Sequence, residues 1–303
     1  MKWIVLAGFV TTFSSAFSQG TPKSTLWRLA RPDLPGTSYL FGTVHSKDDR
    51  AFQWSDSLLP ALERVQLVAG ELDLTQGPGQ LMEVMPLARL PEGRTLESYY
   101  KKREWKVVNA AIKEKLGPLG GLVSRLKPFF VMVLLSGSEI SGSHERVLDD
   151  EILHLAKENG QEVIGLETAR EQLAALDVLP AEEQARLLLD FVREGGAGNE
   201  MNAMLDAYAE QDLDKMVSIM GSSRSMPAKM ESAMLIDRNV RMAHRMDSII
   251  TTGATAFFAV GAGHLPTNTG VIALLRAMGY VAEPVFGTAV RRVEPGSNSV
   301  KGR

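Results

Sequence analysis

SYLFGTVH, residues 38–45, and AFFAVGAGH, residues 256–264, are the two stretches on which the fold turns. Each is an apolar run that reaches a glycine, Gly42 or Gly261, and presents a histidine, His45 or His264, three residues later. The apolar residues are continuous at Leu40 and Phe41 and again from Phe257 to Val260, as in strands covered on both faces. These two are therefore read as central strands. Thr25 to Ala30, Gln66 to Glu71, Glu162 to Leu166 and Val281 to Val285 are predicted as further strands. Helical patterns lie between them: one capped by Ser55 or Asp56 and running to about Val65, one from Asp149 to Lys157 closed by Asn159 and Gly160, and one from Val271 to Met278 closed at Gly279. Strand and helix in alternation predict an α/β fold, with a central mixed, largely parallel sheet flanked by helices. Residues 81–136 and 180–250, in round terms, show helical patterns without a convincing strand and are read as inserted helical blocks. Because the strands come from both halves of the chain, residues 19–293 are read as a single domain.

Composition narrows the function classes. The 303 residues are 45% hydrophobic and 23% charged, the balance of a well-packed globular protein. A formal net charge of −3, with Lys and Arg dispersed, provides no basic stripe for counterion release, so nucleic acid is not expected as a partner. There are no cysteines, which excludes disulfides, thiolate ligands and a cysteine nucleophile. Residues 1–18 read as a secretory signal peptide: Lys2, an apolar run from Trp3 to Val10, then small residues ending at Ala16 and Ser18, with cleavage before Gln19. That run is well short of the roughly 20 residues of a membrane span. The protein is therefore expected to be exported, to a periplasm or beyond the cell, with no membrane span in the mature chain. Residues 294–303 lack an apolar pattern and are expected to form a flexible tail.

The chemistry is expected where strands end. In open α/β sheets, ligands gather outside the carboxyl ends of the strands. VQLVAGE delivers Glu71 after Gly70, and QEVIGLE delivers Glu167 after Gly165, in the same context as the two histidines. A carboxylate emerging from a buried strand is costly to desolvate unless it is paired or bound to a cation. Glycine at each turn suggests positive φ or close backbone approach. Two histidines and a carboxylate are a standard donor set for a divalent metal with open positions, so His45, His264, Glu71 and Glu167 are the candidate ligands. His144, His154 and His244 sit in polar helical or loop-like contexts and are left out, with His154 read as a helix-surface residue. Met226, Met230 and Met234, and again Met242 and Met246, are spaced by four along a helix face. They are read as an adaptable core stripe in preference to a peptide groove.

The phrases YLFGTVH, VAGELD, LDDEILHLAKENGQEVIGLETAREQL, LIDRN and AVGAGHLP together resemble the TraB/PrgY/GumN family. That group is related to the Tiki metalloproteases and more distantly to ChaN-like and erythromycin esterase-like proteins. The resemblance spans nearly the whole mature chain and implies a divalent-metal-dependent hydrolase fold. By position, His45 and His264 match the family's paired histidines, Glu71 and Glu167 its acidic residues, and Arg238 and Asn239 its Arg-Asn pair. Asp149 matches an aspartate that precedes the family's middle helix. The chain departs from the family at Asp237, where glutamate is usual, and at Val147, where glycine is usual; neither touches a candidate ligand.

On this reading His45, His264 and one glutamate hold a divalent cation, with Mn, Co, Zn or Fe all compatible with nitrogen and oxygen donors. The other glutamate serves as general base or acid, and Arg238 stabilises an oxyanion or a substrate carboxylate. The sequence does not order the two glutamates. The substrate is a peptide or another small molecule. Two other functions fit the same residues: a protein that sequesters peptides without cleaving them, and a metal-free, esterase-like hydrolase in which His and Glu alone activate water.

Overall fold

The computed structural model describes residues 22–73, 75, 84–138, 140–196, 198–222 and 227–292. The signal-peptide reading, Met226 and the tail lie outside these residues. Six strands, β1 (Leu26–Ala30), β2 (Ser38–Thr43), β4 (Leu67–Gly70), β5 (Glu162–Gly165), β6 (Ala256–Gly261) and β7 (Val281–Pro284), form one sheet in the order β5-β4-β6-β2-β1-β7. The first four in that order are mutually parallel, while β1 runs antiparallel to β2 and β7. The sheet is mixed and mostly parallel, as expected. A separate two-stranded sheet pairs β3 (Gln53–Ser55) with β8 (Val290–Arg292).

The central strands are buried along their length. Every residue of β2 is buried, and so are the first five of β6. Since successive side chains point to opposite faces, both faces of the sheet are covered there. The β5 edge is more open. Helix α1 (Leu58–Glu63) follows β3 and begins later than the predicted cap, because Ser57 occupies the N-cap position.

The first helical block comprises α2 (Lys102–Leu116) and α3 (Pro128–Ser138), with 3-10 turns around them. After it come α4 (Leu148–Glu158) and α5 (Ala169–Leu176), the latter opened by a Thr168–Glu171 capping box. The second block runs through α6 (Ala181–Arg193), α7 (Gly198–Ala209), α8 (Leu213–Ser222), α9 (Ala228–Glu231), a π turn at Ser232–Ile236 and α10 (Asp237–Thr251). Helix α11 (Val271–Ala277) precedes β7. Gly160 and Gly279 follow α4 and α11 with φ of +74° and +93°, the left-handed conformation that ends a helix at low cost in glycine.

Three apolar clusters result among the described residues. The largest joins the sheet to α1, α4, α10 and α11, and includes Met242 and Met246. Another packs α2 and α3 against α6. Between α3 and α6 the buried Gln184 accepts from the Phe129 amide and donates to the Leu179 carbonyl. Met230 is buried in a small third cluster with Phe129 and Leu179, with Met234 packed against it. The described methionines of the stripe are thus core residues.

Candidate functional site

Four parallel strands bring their carboxyl ends to one edge of the sheet, with Gly70 opposite Gly165 and Thr43 opposite Gly261. Past that edge the ladder continues for two more rungs. The Leu166 amide donates to the Gly70 carbonyl, and the Glu167 amide donates to the Glu71 carbonyl, both at 2.8 Å. The two acidic turns are thereby fixed side by side. Their glycines serve close packing and not positive φ: a Cβ on Gly165 would lie 2.9 Å from the Asp73 amide nitrogen and the Glu167 carbonyl oxygen, and one on Gly70 would lie 2.8 Å from the Leu72 carbonyl oxygen.

Strand order then decides who meets whom. With β4 between β5 and β6, Glu71 has Glu167 on one side and His264 on the other. Glu71 Oε1 accepts from the Gly261 amide at 2.7 Å and lies 3.6 Å from His264 Nε2. Oε2 accepts from Arg238 Nη2 at 2.5 Å and from Gln172 at 3.2 Å. Glu167, its side chain 0% exposed, accepts from Arg238 Nε and Nη2 at 2.9 and 2.7 Å on Oε2 and from Arg241 at 3.2 Å on Oε1. Both emerging carboxylates are paired, as their desolvation demands. Burial pushes the Glu71 carboxyl up, but His264, Arg238 and the Gly261 amide more than offset it and leave the carboxyl below its ordinary value. Burial works against the Arg238 charge too, and the two carboxylates outweigh it, holding the guanidinium above its ordinary value.

Arg238 reaches this position from the first turn of α10, directly after the π turn, and its Nη1 donates to the Met234 carbonyl within that turn at 3.3 Å. π bulges recur at functional sites because the extra residue resets which side chains face inward.

The two histidines differ. His264 is buried. Its Nδ1 lies 2.6 Å from Asn239 Oδ1, and the Asn239 amide is oriented by donating to the Thr269 carbonyl at 2.9 Å. That orientation leaves Nδ1 as the donor and Nε2 with its lone pair toward Glu71. Burial is the main influence on the ring, lowering its pKa. His45, one strand further along on the β2 side, has a 64% exposed side chain, with Nδ1 3.5 Å from Asp149 Oδ2. Asp149 Oδ1 in turn accepts from the Thr43 hydroxyl. The carboxylate of Asp149 raises the pKa of His45, outweighing the opposing effect of burial. His45, Glu71, Asp149 and Gln172 line one cavity of about 130 Å³.

All five sequence-derived site residues, His45, Glu71, Glu167, Arg238 and His264, therefore lie beyond one sheet edge. Glu71 directly joins His264 and Arg238, and His45 shares its cavity. The donor set suits a divalent cation in kind: two imidazoles with a carboxylate, each imidazole having a side-chain acceptor at Nδ1 that leaves Nε2 as the coordinating atom. Among the described residues, however, no group of three His, Cys, Asp or Glu side chains is placed to hold a metal ion. Gln172 and Arg241 were not expected at the site. The TxxE capping box of α5 is visible in the sequence, but nothing there shows which way Gln172 faces. His144 also departs from expectation: it is buried, with its ring stacked on Phe52 at 3.5 Å and Nε2 3.3 Å from Asp49. His154 is half-buried and pairs with Asp150, while His244 is exposed.

A model of the TraB/PrgY/gumN family matches residues 25–284, an interval that contains every one of these site residues. The chain belongs to the TraB/PrgY/gumN family. Relatives of this TraB/PrgY/gumN protein include the metalloprotease TIKI2 of Danio rerio, 25% identical over 88% of this chain and 62% of its own length. The metalloprotease TIKI1 of Danio rerio is 26% identical over 88% and 64%, and TIKI2 of Xenopus tropicalis 24% over 88% and 60%. The chain thus spans less than two thirds of the length of these relatives. No solved structure matches it. No helix among the described residues is long and apolar enough to cross a membrane.

Proposed function

We propose that the protein is an exported, divalent-metal-dependent hydrolase that cleaves peptide bonds. The observation that carries this reading is Glu71, whose carboxylate is fixed against the Nε2 of one family histidine and lines a cavity with the other. The metalloprotease names of the relatives support the same chemistry. His264 through Nε2, Glu71 and His45 would hold the cation. When bound, it supplies Lewis acidity that makes water a competent nucleophile near neutral pH.

The chain's own residues divide the remaining work. Asn239 keeps the Nδ1 proton of His264 in place, so the ring stays neutral with Nε2 open to the crevice. Glu167 gives both oxygens to guanidinium groups and is committed to holding Arg238, which leaves Glu71 as the carboxylate of the crevice. Arg238 spends its Nε and Nη2 hydrogens on the two glutamates and one Nη1 hydrogen on Met234, leaving a second Nη1 hydrogen for a substrate oxygen. Asp149 lines the same cavity and faces His45 Nδ1 through Oδ2 at 3.5 Å, so it orients that imidazole as Asn239 orients the other.

The test is metal analysis of the full chain purified without chelator, alongside His45→Ala and His264→Ala, with cleavage of a peptide library measured before and after chelation. Bound metal and chelator-sensitive turnover in wild type, both reduced to background in the variants, are expected. Unchanged metal content in both variants removes these histidines as ligands. Peptide binding without turnover would instead identify a sequestering protein, and chelator-resistant ester hydrolysis would transfer the chemistry to the Glu71–His264 pair alone.

A further inference from the structure

A second and larger cavity, of about 540 Å³, lies beside the first site and has no part in the chemistry described so far. Two of its lining residues belong to the His264 end of the crevice: Asn239, which holds the imidazole by Nδ1, and Gly263, the residue before it. Its apolar wall comes from two directions, Val217 and Met220 on α8 and Leu235 and Ile236 in the π turn. The polar rim is formed by Glu231 and the segment Thr267–Thr269. This volume falls in the range of small-molecule and cofactor sites and far exceeds the space one water fills.

The rim carries a backbone strain of its own. Thr267 adopts φ of +75°, an outlier for a β-branched residue. Such strain concentrates at ligand clamps, where the surrounding structure must enforce it. Here the Thr267 hydroxyl meets Thr269 Oγ1 at 3.2 Å and the Thr269 amide at 3.4 Å, while the Thr269 carbonyl accepts from Asn239. The strained segment is thereby tied through Asn239 to His264.

We infer that this cavity is the substrate subsite for a large apolar side chain, leucine, methionine or phenylalanine, flanking the bond cleaved at His264. The inference rests on the hydrolase reading above and names its substrate class. The wall removes the apolar side chain from water, which is favourable in proportion to the area buried. Asn239, bonded to the His264 ring, and Gly263, its chain neighbour, set the cavity beside that histidine, within reach of a side chain adjoining the reacting bond. The Glu231 carboxylate at the rim selects against an acidic residue at the same position.

The experiment uses the full chain and a peptide series identical except for Leu, Phe, Ala, Gly or Asp at one position, read as kcat/KM. Leu and Phe are expected to exceed Gly by about tenfold or more, the scale on which apolar pockets discriminate. Leu235→Trp or Val217→Trp, each filling the cavity from a different element, should erase that preference, bringing the Leu and Gly peptides to the same kcat/KM, with the metal content of wild type. Binding of uncleavable reduced-bond versions of the Leu and Gly peptides to wild type, followed by calorimetric titration, supplies a readout independent of turnover. Turnover without side-chain preference, or equal binding of the two uncleavable peptides, overturns the subsite. Leu-dependent binding with no turnover at all overturns the hydrolase reading and leaves the subsite standing.

Discussion

The two Gly-x-x-His turns leave neighbouring parallel strands one residue out of step, with Gly42 opposite Val260, and they produce different histidines. At the β6 end, His264 is buried, has an asparagine on Nδ1, and sits beside a glutamate already neutralised by Arg238. At the β2 end, His45 is mostly exposed and has an aspartate on Nδ1. A motif places a ring at a sheet edge; burial and the partner of its second nitrogen decide its charge. The closed end is built to keep an imidazole neutral, and the open end to favour a proton.

The largest expected difference between the ends is in stability. Arg238→Ala leaves Glu71 and Glu167 facing each other without their shared cation, and urea denaturation should show a loss of about 3–5 kcal/mol. His45→Ala at the open end should stay within about 0.5 kcal/mol of wild type. Equal effects would mean that the closed end is no more preorganised than the open one.

Of intermediate size is the effect of the atom behind each ring. Asn239→Ala frees the His264 Nδ1 proton from its acceptor and should weaken metal binding by roughly 10–100-fold in a competitive chelator titration. No change would detach Asn239 from the site.

The smallest effect is the one that measures the contrast directly. In the metal-free protein, NMR titration of the ring protons should place His264 below the ordinary histidine value and His45 above it. Because the fold disfavours the proton on His264, that ring's stabilisation is fully present above the ordinary value, about 6.5, and is lost as pH falls from there through its lowered folded pKa. The contribution of His45 has the opposite sign, present below the ordinary value and lost as pH rises through its raised folded pKa. A reversed order of the two midpoints would refute the electrostatic distinction.

Much of this arrangement is legible in the residues themselves. The apolar runs ending at Gly42, Gly70 and Gly261 mark strands because a buried parallel strand has little room for polar residues, while the shorter run before Gly165 forms the more open edge strand β5. Gly160 and Gly279 mark helix ends for a steric reason that needs no tertiary context. The short β3 and β8 are not legible, since three residues carry no periodicity. Nor is the use of Glu167: a carboxylate after a strand looks alike whether it faces a cavity or an arginine. What separates those cases is the rotation of α10 set by the π turn before it, and no local sequence pattern announces that turn.

The position of β6 has a consequence for synthesis. It lies between β4 and β2 in the sheet but follows both in the chain, with the two helical blocks and β5 made in between. A nascent polypeptide emerging from the ribosome cannot bring its acidic turns against either imidazole until this late strand inserts between two that are already waiting. Such non-local pairing is intrinsically slow. The order of manufacture thus keeps the crevice from existing on any incomplete chain that ends before residue 264.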